Sequence, residues 1–205
     1  MYIARLTLNQ SRVAMLWQAN PYRVHQQLRM AYPAEPRLLF RIEQPEDRGS
    51  PTRILVQSQT PPDWSALEGF EILDRPPEHK ELTLGFKAAQ RLRFRLLANP
   101  TYRTRNAQGR SVRLSHNRAD AQMAWLERKL TNAGAQLMGA RSIDRGLQRN
   151  RRGNVGENDV LVHRAVHFEG LIRVIDPEML RAAIAQGIGS AKGIGFGLLS
   201  VMSAG

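Results

Sequence analysis

One order of predicted elements, strand–helix–strand–strand–helix–strand, occurs twice along this chain of 205 residues. In each half a helix is expected to start where a capping residue precedes a proline, at Asn20-Pro21 and at Asp176-Pro177. The first of these helices is expected to extend to about Tyr32. Two tandem βαββαβ units predict an α+β fold of two ferredoxin-like domains, an architecture that hosts many unrelated functions.

The first half opens with alternating residues over Tyr2–Asn9, which place Ala4, Leu6 and Leu8 on one face of a predicted strand. Arg75–Glu78 contains two prolines and is predicted as the linker, so the domains are expected at residues 1–85 and 90–205. The other elements of this half are predicted as strands at 37–43, 52–58 and 70–73, and a short helix over 63–67.

The second half is expected to begin with a strand over Arg91–Leu97, in which arginines alternate with apolar residues, giving one basic and one apolar face. A helix is predicted over Asn117–Asn132, with an apolar stripe that includes Ala124. The remaining predicted elements are strands at 136–140 and 160–174, which flank a polar excursion, a helix from 177 to about 187, and a strand at 196–202.

Positive charge is concentrated in the middle third of the sequence. Residues 91–153 hold 15 basic and 3 acidic side chains, a difference of +12, which equals the formal net charge of the whole chain. Arginine supplies 26 of the 30 basic residues, and its planar guanidinium binds phosphate through two parallel hydrogen bonds. An arginine-rich genome would explain this proportion but not the clustering, so the distribution favours a nucleic-acid partner.

The clustered basic residues fall into three groups that could straddle a structured RNA through its phosphates and groove edges. One group surrounds a predicted turn at 107–109, a second lies on the predicted helix, and a third lies in the polar excursion. The candidates are, in that order, Arg103, Arg105, Arg110 and Arg113; Arg128 and Lys129; and Arg145, Arg149, Arg151 and Arg152.

Tyr22 and His25 are three residues apart on the first predicted helix and therefore share a face. Both lie in its first two turns, where the helix dipole favours an anion such as a phosphodiester. Histidine titrates near neutral pH and can therefore transfer a proton during phosphodiester transesterification. Taken alone, a histidine on an amphipathic helix is more often an ordinary packed or exposed residue.

The sequence offers few ligands for a metal ion. It contains no cysteine, and the most basic third has only Asp120, Glu127 and Asp144 as carboxylates. A two-metal nuclease needs several carboxylates that converge on one site. Cleavage without metal is therefore favoured, and on RNA it can use the 2′-hydroxyl as an internal nucleophile.

The segment Gly187–Gly197 contains five glycines within eleven residues. It lacks the glycine and hydroxyl neighbours of a Walker loop, and it follows a helix rather than a strand, unlike a dinucleotide-binding fingerprint. Its backbone N–H groups are expected to be exposed and to contact phosphate, with Gly189, Lys192 and Gly193 as the candidates. The alternative is a flexible turn between helix and strand.

In order and spacing, six segments of the chain resemble the CasE-type CRISPR precursor-RNA-processing endoribonucleases, which are subunits of the Cascade complex. The resemblance covers nearly the whole chain. The segments are Asn20–His25, Pro62–Ser65, Arg91–Pro100, Ala124–Leu130, Phe168–Gly170 and Gly187–Leu199.

This resemblance implies tandem ferredoxin-like domains and metal-independent cleavage of CRISPR repeat RNA at the base of its hairpin, with no cofactor. The implied products carry a 5′-hydroxyl and a 2′,3′-cyclic phosphate, and the enzyme stays on the mature guide RNA. The catalytic histidine and tyrosine of the family match His25 and Tyr22. A cytoplasmic protein that has other Cascade subunits as partners and no membrane span is expected, and the alternative is a non-catalytic RNA-binding subunit.

Overall fold

A computed structural model describes residues 1–43, 45, 47, 49–67, 71–151 and 160–204. The chain divides into two compact units. The first comprises Met1–Leu84, Asn150–Leu161 and Lys192–Leu198, and the second comprises the remaining residues. The sequence predicts residues 192–198 in the second domain, whereas the structure groups them, and the described residues of 150–161, with the first unit.

The first unit is built on one antiparallel sheet, in which the strand order is β2-β3-β1-β4. Strand β1 therefore lies between β3 and β4. The elements are β1 (Tyr2–Thr7), α1 (Arg12–Gln18), α2 (Pro21–Ala31), β2 (Leu39–Glu43), β3 (Arg53–Ser58), a 3-10 turn (Trp64–Leu67) and β4 (Glu78–Glu81).

Helix α2 covers the core of this unit with one apolar face. Val24, Leu28 and Ala31 recur at helical spacing and are completely buried. They pack with the buried side of β1, where Ala4 and Leu6 confirm the predicted alternation. This packing fixes the helix relative to the sheet.

Three expectations for the first unit are corrected. Helix α1 was not predicted; its seven residues are too few for a clear period, and Ser11 Oγ caps it by accepting from the Ala14 N–H. The Asn20 side chain makes no capping hydrogen bond with α2. The fourth strand is β4 rather than residues 70–73, of which residue 70 lies outside the described part and Leu73 forms only an isolated bridge to Leu8.

The second unit has an antiparallel sheet with strand order β10-β5-β9-β8 and a separate two-stranded ribbon of β6 and β7. No helix among the described residues is long and apolar enough to cross a membrane. The elements are β5 (Arg91–Ala98), β6 (Thr101–Arg105), β7 (Ser111–Ser115), α3 (Ala119–Thr131), β8 (Ala135–Arg151), β9 (Val160–Val174), α4 (Pro177–Gln186) and β10 (Leu199–Ser203).

The start of α4 is as predicted, because Asp176 Oδ1 accepts hydrogen bonds from the N–H groups of Glu178 and Met179. The predicted polar excursion is wrong over much of its length, since β8 continues as a strand to Arg151. Strand pairing with β9 overrides the polar composition there. On α3, Ala124 is exposed, in contrast to the predicted apolar stripe, whereas its neighbour Trp125 is buried.

The buried carboxylate of Glu35 holds the chain after α2. One of its oxygens accepts from the backbone N–H groups of Gln59 and Thr60 and from the Thr60 hydroxyl, at 2.7–3.0 Å. The other oxygen accepts from the Arg37 N–H at 3.2 Å. This single side chain therefore joins the end of α2 to the loop after β3.

We expect Glu35→Ala to lower the free energy of unfolding by about 3 kcal/mol, because several donors would lose their acceptor. Urea denaturation measures the change. The control is Glu71→Ala, which removes an exposed carboxylate and should stay within about 0.5 kcal/mol of the parent. Equal effects of the two substitutions would contradict this role of Glu35.

Candidate active site and nucleic-acid interface

The imidazole of His25 is held against an aromatic ring of the sheet. It stacks on Phe40 of β2 with a centroid separation of 6.1 Å and an interplanar angle of 18°. Phe40 is completely buried, and the residues on either side of His25 are Val24, which is buried, and Gln26, which is exposed. The histidine therefore sits half-buried at the edge of the core with its ring plane fixed.

A glycine lies beside the Nε2 edge of this imidazole. A Cβ placed on Gly193 would lie 3.7 Å from His25 Nε2 and 3.8 Å from Cδ2. Gly193 belongs to a 3-10 turn, Lys192–Ile194, that packs on α2 and β2. Because glycine has no side chain, the space next to Nε2 stays open at this point.

The glycine-rich segment is more buried than the sequence predicts. Ile194 and Phe196 are buried in the first unit. Gly195 has a φ of +89°, and a Cβ added to it would lie only 3.3 Å from Phe40 Cε2. Gly189 lies in the second unit against Trp125, where a Cβ would meet the indole at 3.1 Å. Close packing therefore explains several of these glycines, and the expectation of a fully exposed backbone is wrong.

The pKa of His25 is lowered, first by burial and second by the positive charge of Arg29, one turn further along α2. Its Nδ1 is buried and has no hydrogen-bond partner among the described residues, so no carboxylate there stabilises an imidazolium. The structure thus favours the neutral ring at pH 7, the form that can accept a proton.

Tyr22 lies half-buried one turn before His25 on α2. The spacing of three residues places both side chains on the same helix face. A catalytic role for Tyr22 remains a prediction that rests on this shared face.

The β6–β7 ribbon presents the first group of predicted arginines. Arg103 and Arg113 stand directly opposite each other across the two strands, and Arg105 follows on the same face. These three and Arg110 are exposed, and none forms an ion pair with a described residue. Two like charges in one cross-strand pair destabilise an isolated ribbon, so this face suits an anion.

A buried polar network holds the base of this ribbon. The Asn99 side-chain oxygen accepts from Ser115 Oγ at 3.1 Å and from the Arg164 N–H at 3.3 Å. Gln122 of α3 donates to the His116 carbonyl and to Asp144 Oδ2, at 3.1 and 2.9 Å. The ribbon is therefore anchored to the helix and the sheet of its own unit.

The second and third groups of predicted RNA-binding residues fall on α3 and, apart from Arg152, on β8. Arg128 is exposed, and Lys129 Nζ lies 6.0 Å from the centre of the Trp125 ring, within reach of a cation–π contact. Arg145 and Arg149 are exposed on β8 rather than in a loop. Arg151 ends that strand, and Arg152 lies outside the described residues. Among the described residues, no three His, Asp or Glu side chains group as metal ligands.

Comparison with known proteins shows matches over almost the whole length. A family model described as CRISPR associated protein matches residues 1–202. CRISPR-associated endoribonuclease Cse3 of Thermus thermophilus is 39% identical over 98% of this chain and 99% of its own. The chain belongs to the Cse3/CasE family. The Cascade subunit CasE of Escherichia coli is 29% identical, over 92% of this chain and 95% of its own.

The fold of this Cse3/CasE family member also agrees with a solved relative. The structure of CRISPR endoribonuclease Cse3 bound to a 19-nucleotide RNA has a TM-score of 0.85 and 37% identity. The match covers 98% of this chain and 100% of that one. The resemblance that the sequence motifs predict is therefore confirmed.

Sequence reasoning identified His25 but not the residues that hold it. Phe40 gives no local signal, since an aromatic residue in a β-strand is ordinary core. Asn99 and Gln122 are buried polar residues, and most of their side-chain partners lie 16 or more residues away in the chain. Only the position of Asn99 before Pro100, at the end of an alternating strand, could have pointed to a structural amide.

We expect an NMR titration of the imidazole protons to give His25 a pKa below 6.5. Arg29→Gln should raise this pKa towards 6.5 without reaching it, because burial is the larger cause. Arg29→Lys keeps the positive charge and should leave it lowered. The pKa of His163, which burial alone lowers, is the internal control. A His25 pKa that does not respond to Arg29→Gln would contradict the electrostatic contribution.

Proposed function

We propose that this protein is a metal-independent endoribonuclease in which His25 accepts the proton of an RNA 2′-hydroxyl. The observation that carries the proposal is the His25 ring, stacked on Phe40 with Nε2 beside a residue that has no side chain. A lowered pKa keeps this ring neutral and able to act as a base.

The proposed reaction is an internal transesterification. His25 takes the 2′-hydroxyl proton, the 2′-oxygen forms a bond to phosphorus, and the bond from phosphorus to the 5′-oxygen breaks. The products are a 2′,3′-cyclic phosphate and a 5′-hydroxyl, whose proton must come from a second donor because the leaving oxygen departs opposite the attacking one. Tyr22, on the same helix face, is our candidate for this donor.

We propose CRISPR repeat RNA as the substrate, cleaved at the base of its hairpin and then retained as mature guide RNA. A relative and a solved structure bound to RNA are both named endoribonuclease Cse3, and another relative is named as a Cascade subunit. Other Cascade subunits are accordingly the proposed partners. The arginines of the β6–β7 ribbon, which form no ion pair with a described residue, supply the proposed phosphate contacts together with the basic residues of α3 and β8.

We also propose that both units are ferredoxin-like domains. The two sheets have the strand orders β2-β3-β1-β4 and β10-β5-β9-β8. When the strands of each sheet are numbered one to four in chain order, both orders have the same connectivity, with the first and third strands in the centre. The second helix position of the first unit holds only the 3-10 turn Trp64–Leu67. Gly189, Lys192 and Gly193 remain proposed RNA contacts at the junction of the two units in sequence.

We expect His25→Ala to lower the cleavage rate of a repeat hairpin by about 10²–10⁴, the usual contribution of a general base. Its dissociation constant for the hairpin should change less than about twofold, since no arginine is removed. Cleavage in excess EDTA and end-group analysis of the products measure the reaction. His79→Ala, on the exposed strand β4, is the matched control and should cleave normally.

Two outcomes would contradict the proposal. Dependence on added Mg²⁺ would exclude the metal-free route, and full cleavage by His25→Ala would exclude His25 as the base. A hairpin with a single 2′-deoxyribose at the cleavage site should bind and remain uncut. Binding without any cleavage by the parent protein would instead indicate a non-catalytic RNA-binding subunit.

We expect Gly193→Ala to reduce cleavage at least about tenfold while the protein stays folded. The new methyl group would make only ordinary contact with His25 at 3.7 Å, so stability should change little, but it would fill the space beside Nε2. The control is Gly85→Ala, where a Cβ meets nothing within 4 Å. Unchanged kcat and KM in Gly193→Ala would show that this space is not used by the substrate.

A further inference from the structure

One face of the second sheet carries a row of arginines outside the β6–β7 ribbon. Arg91 and Arg93 of β5 point to the face opposite the buried Leu92, because side chains alternate along a strand. The register places Arg173 of β9 directly across from Arg91, and Leu171 across from Arg93. Arg91, Arg93 and Arg173 are all exposed.

Acidic side chains neutralise only part of this face. Glu169 binds Arg95 through one carboxylate oxygen at 2.7 Å and Arg141 through the other at 2.6 Å. These contacts, with the nearby His167, lower the pKa of Glu169 and keep it charged. Both of its oxygens are thus already engaged by other arginines.

Arg91, Arg93 and Arg173 form no ion pair with any described residue. Arg91 and Arg173 are like charges in one cross-strand pair, an arrangement that costs stability unless an anion lies between them. Arg91 and Arg93 are two residues apart on an extended strand, about 6.7 Å. This separation is comparable to that of successive phosphates in an extended nucleotide chain.

We propose that this arginine face, formed by Arg91, Arg93 and Arg173, binds the phosphate backbone of single-stranded RNA that continues from the hairpin. The inference rests on the proposed function, which supplies a long transcript as substrate. Once the hairpin is bound, its flanking strand is tethered at a high effective concentration, so weak contacts suffice. The flanking RNA is thus already held next to the protein, whereas an acidic protein segment would have to come from a separate partner.

The chemistry of the face predicts binding without base preference. The aromatic residues of these strands, Phe94 and Phe168, are on the buried side and cannot stack on bases. The face instead offers guanidinium groups with Leu171 and the exposed Met202 between them. Guanidinium contacts to phosphate are independent of sequence.

The test compares two RNAs, a minimal repeat hairpin and the same hairpin with a single-stranded extension on either side. We expect the triple variant Arg91→Ala/Arg93→Ala/Arg173→Ala to bind the extended RNA at least about tenfold more weakly than the parent protein. The slope of log K plotted against log salt concentration should become shallower by about 2, which is about 0.7 per lost phosphate contact. Affinity for the minimal hairpin and its cleavage rate should be unchanged. Replacing the three arginines with lysine should restore most of the loss.

Three controls separate this face from other effects. Arg12→Ala/Arg37→Ala/Arg53→Ala removes the same charge from exposed positions of the first unit and should leave both affinities near the parent values. Arg103→Ala/Arg113→Ala should weaken the binding of both RNAs. Extensions of different base sequence should lose equal affinity in the arginine-face variant.

The proposal would be overturned if the arginine-face variant lost the same affinity for both RNAs, or if its affinity changed for neither. The second result, together with loss of binding to a polyglutamate peptide, would assign the face to an acidic protein partner. These outcomes do not depend on catalysis. Failure of the parent protein to cleave would count against the endoribonuclease function alone, because the two affinities would still be measured.

Discussion

The stacking of His25 on Phe40 is the contact on which the candidate site depends. It joins the exposed side of α2 to the second strand of the sheet, while the buried side of α2 fills the core with Val24 and Leu28. The turn Lys192–Ile194 then lies beside Nε2, where Gly193 leaves the space open. Two consecutive elements, α2 and β2, and one turn far away in sequence therefore determine the surroundings of Nε2, and the fold of the first unit is a prerequisite for any chemistry there.

Local signals in the sequence were sufficient to predict the elements whose start or periodicity is marked by neighbouring residues. The proline starts of α2 and α4 and the alternation of β1 and β5 could be read directly, because capping, fixed φ and period-two burial are properties of neighbouring residues. The histidine on α2 could be predicted for the same reason. The structure adds the ring that His25 stacks on, and the burial and neighbouring charge of Arg29 that lower its pKa.

Long-range pairing explains what the sequence did not reveal. β8 remains a strand through Asp144 and Arg149 because β9 pairs with it, although its composition resembles a loop. The glycine-rich segment has no hydropathy pattern that distinguishes an exposed turn from a tightly packed one. Its burial follows from the approach of Gly195 to Phe40 and of Gly189 to Trp125, which are contacts over long separations. Long-range pairing also explains β4, an edge strand of charged residues that pairs with β1.

Burial of His25 also links stability, pH and substrate. Because its folded pKa lies below the unfolded value of 6.5, the neutral ring contributes stability that is complete above that pH and is lost as the pH falls below it. A phosphodiester placed beside Nε2 opposes the effect of Arg29, since a negative charge favours the imidazolium. In the proposed reaction, the substrate would then raise the basicity of the ring that accepts its proton. A site that is neutral when empty and more basic when occupied needs no carboxylate partner at Nδ1, which agrees with the unpartnered nitrogen in the described part of the chain.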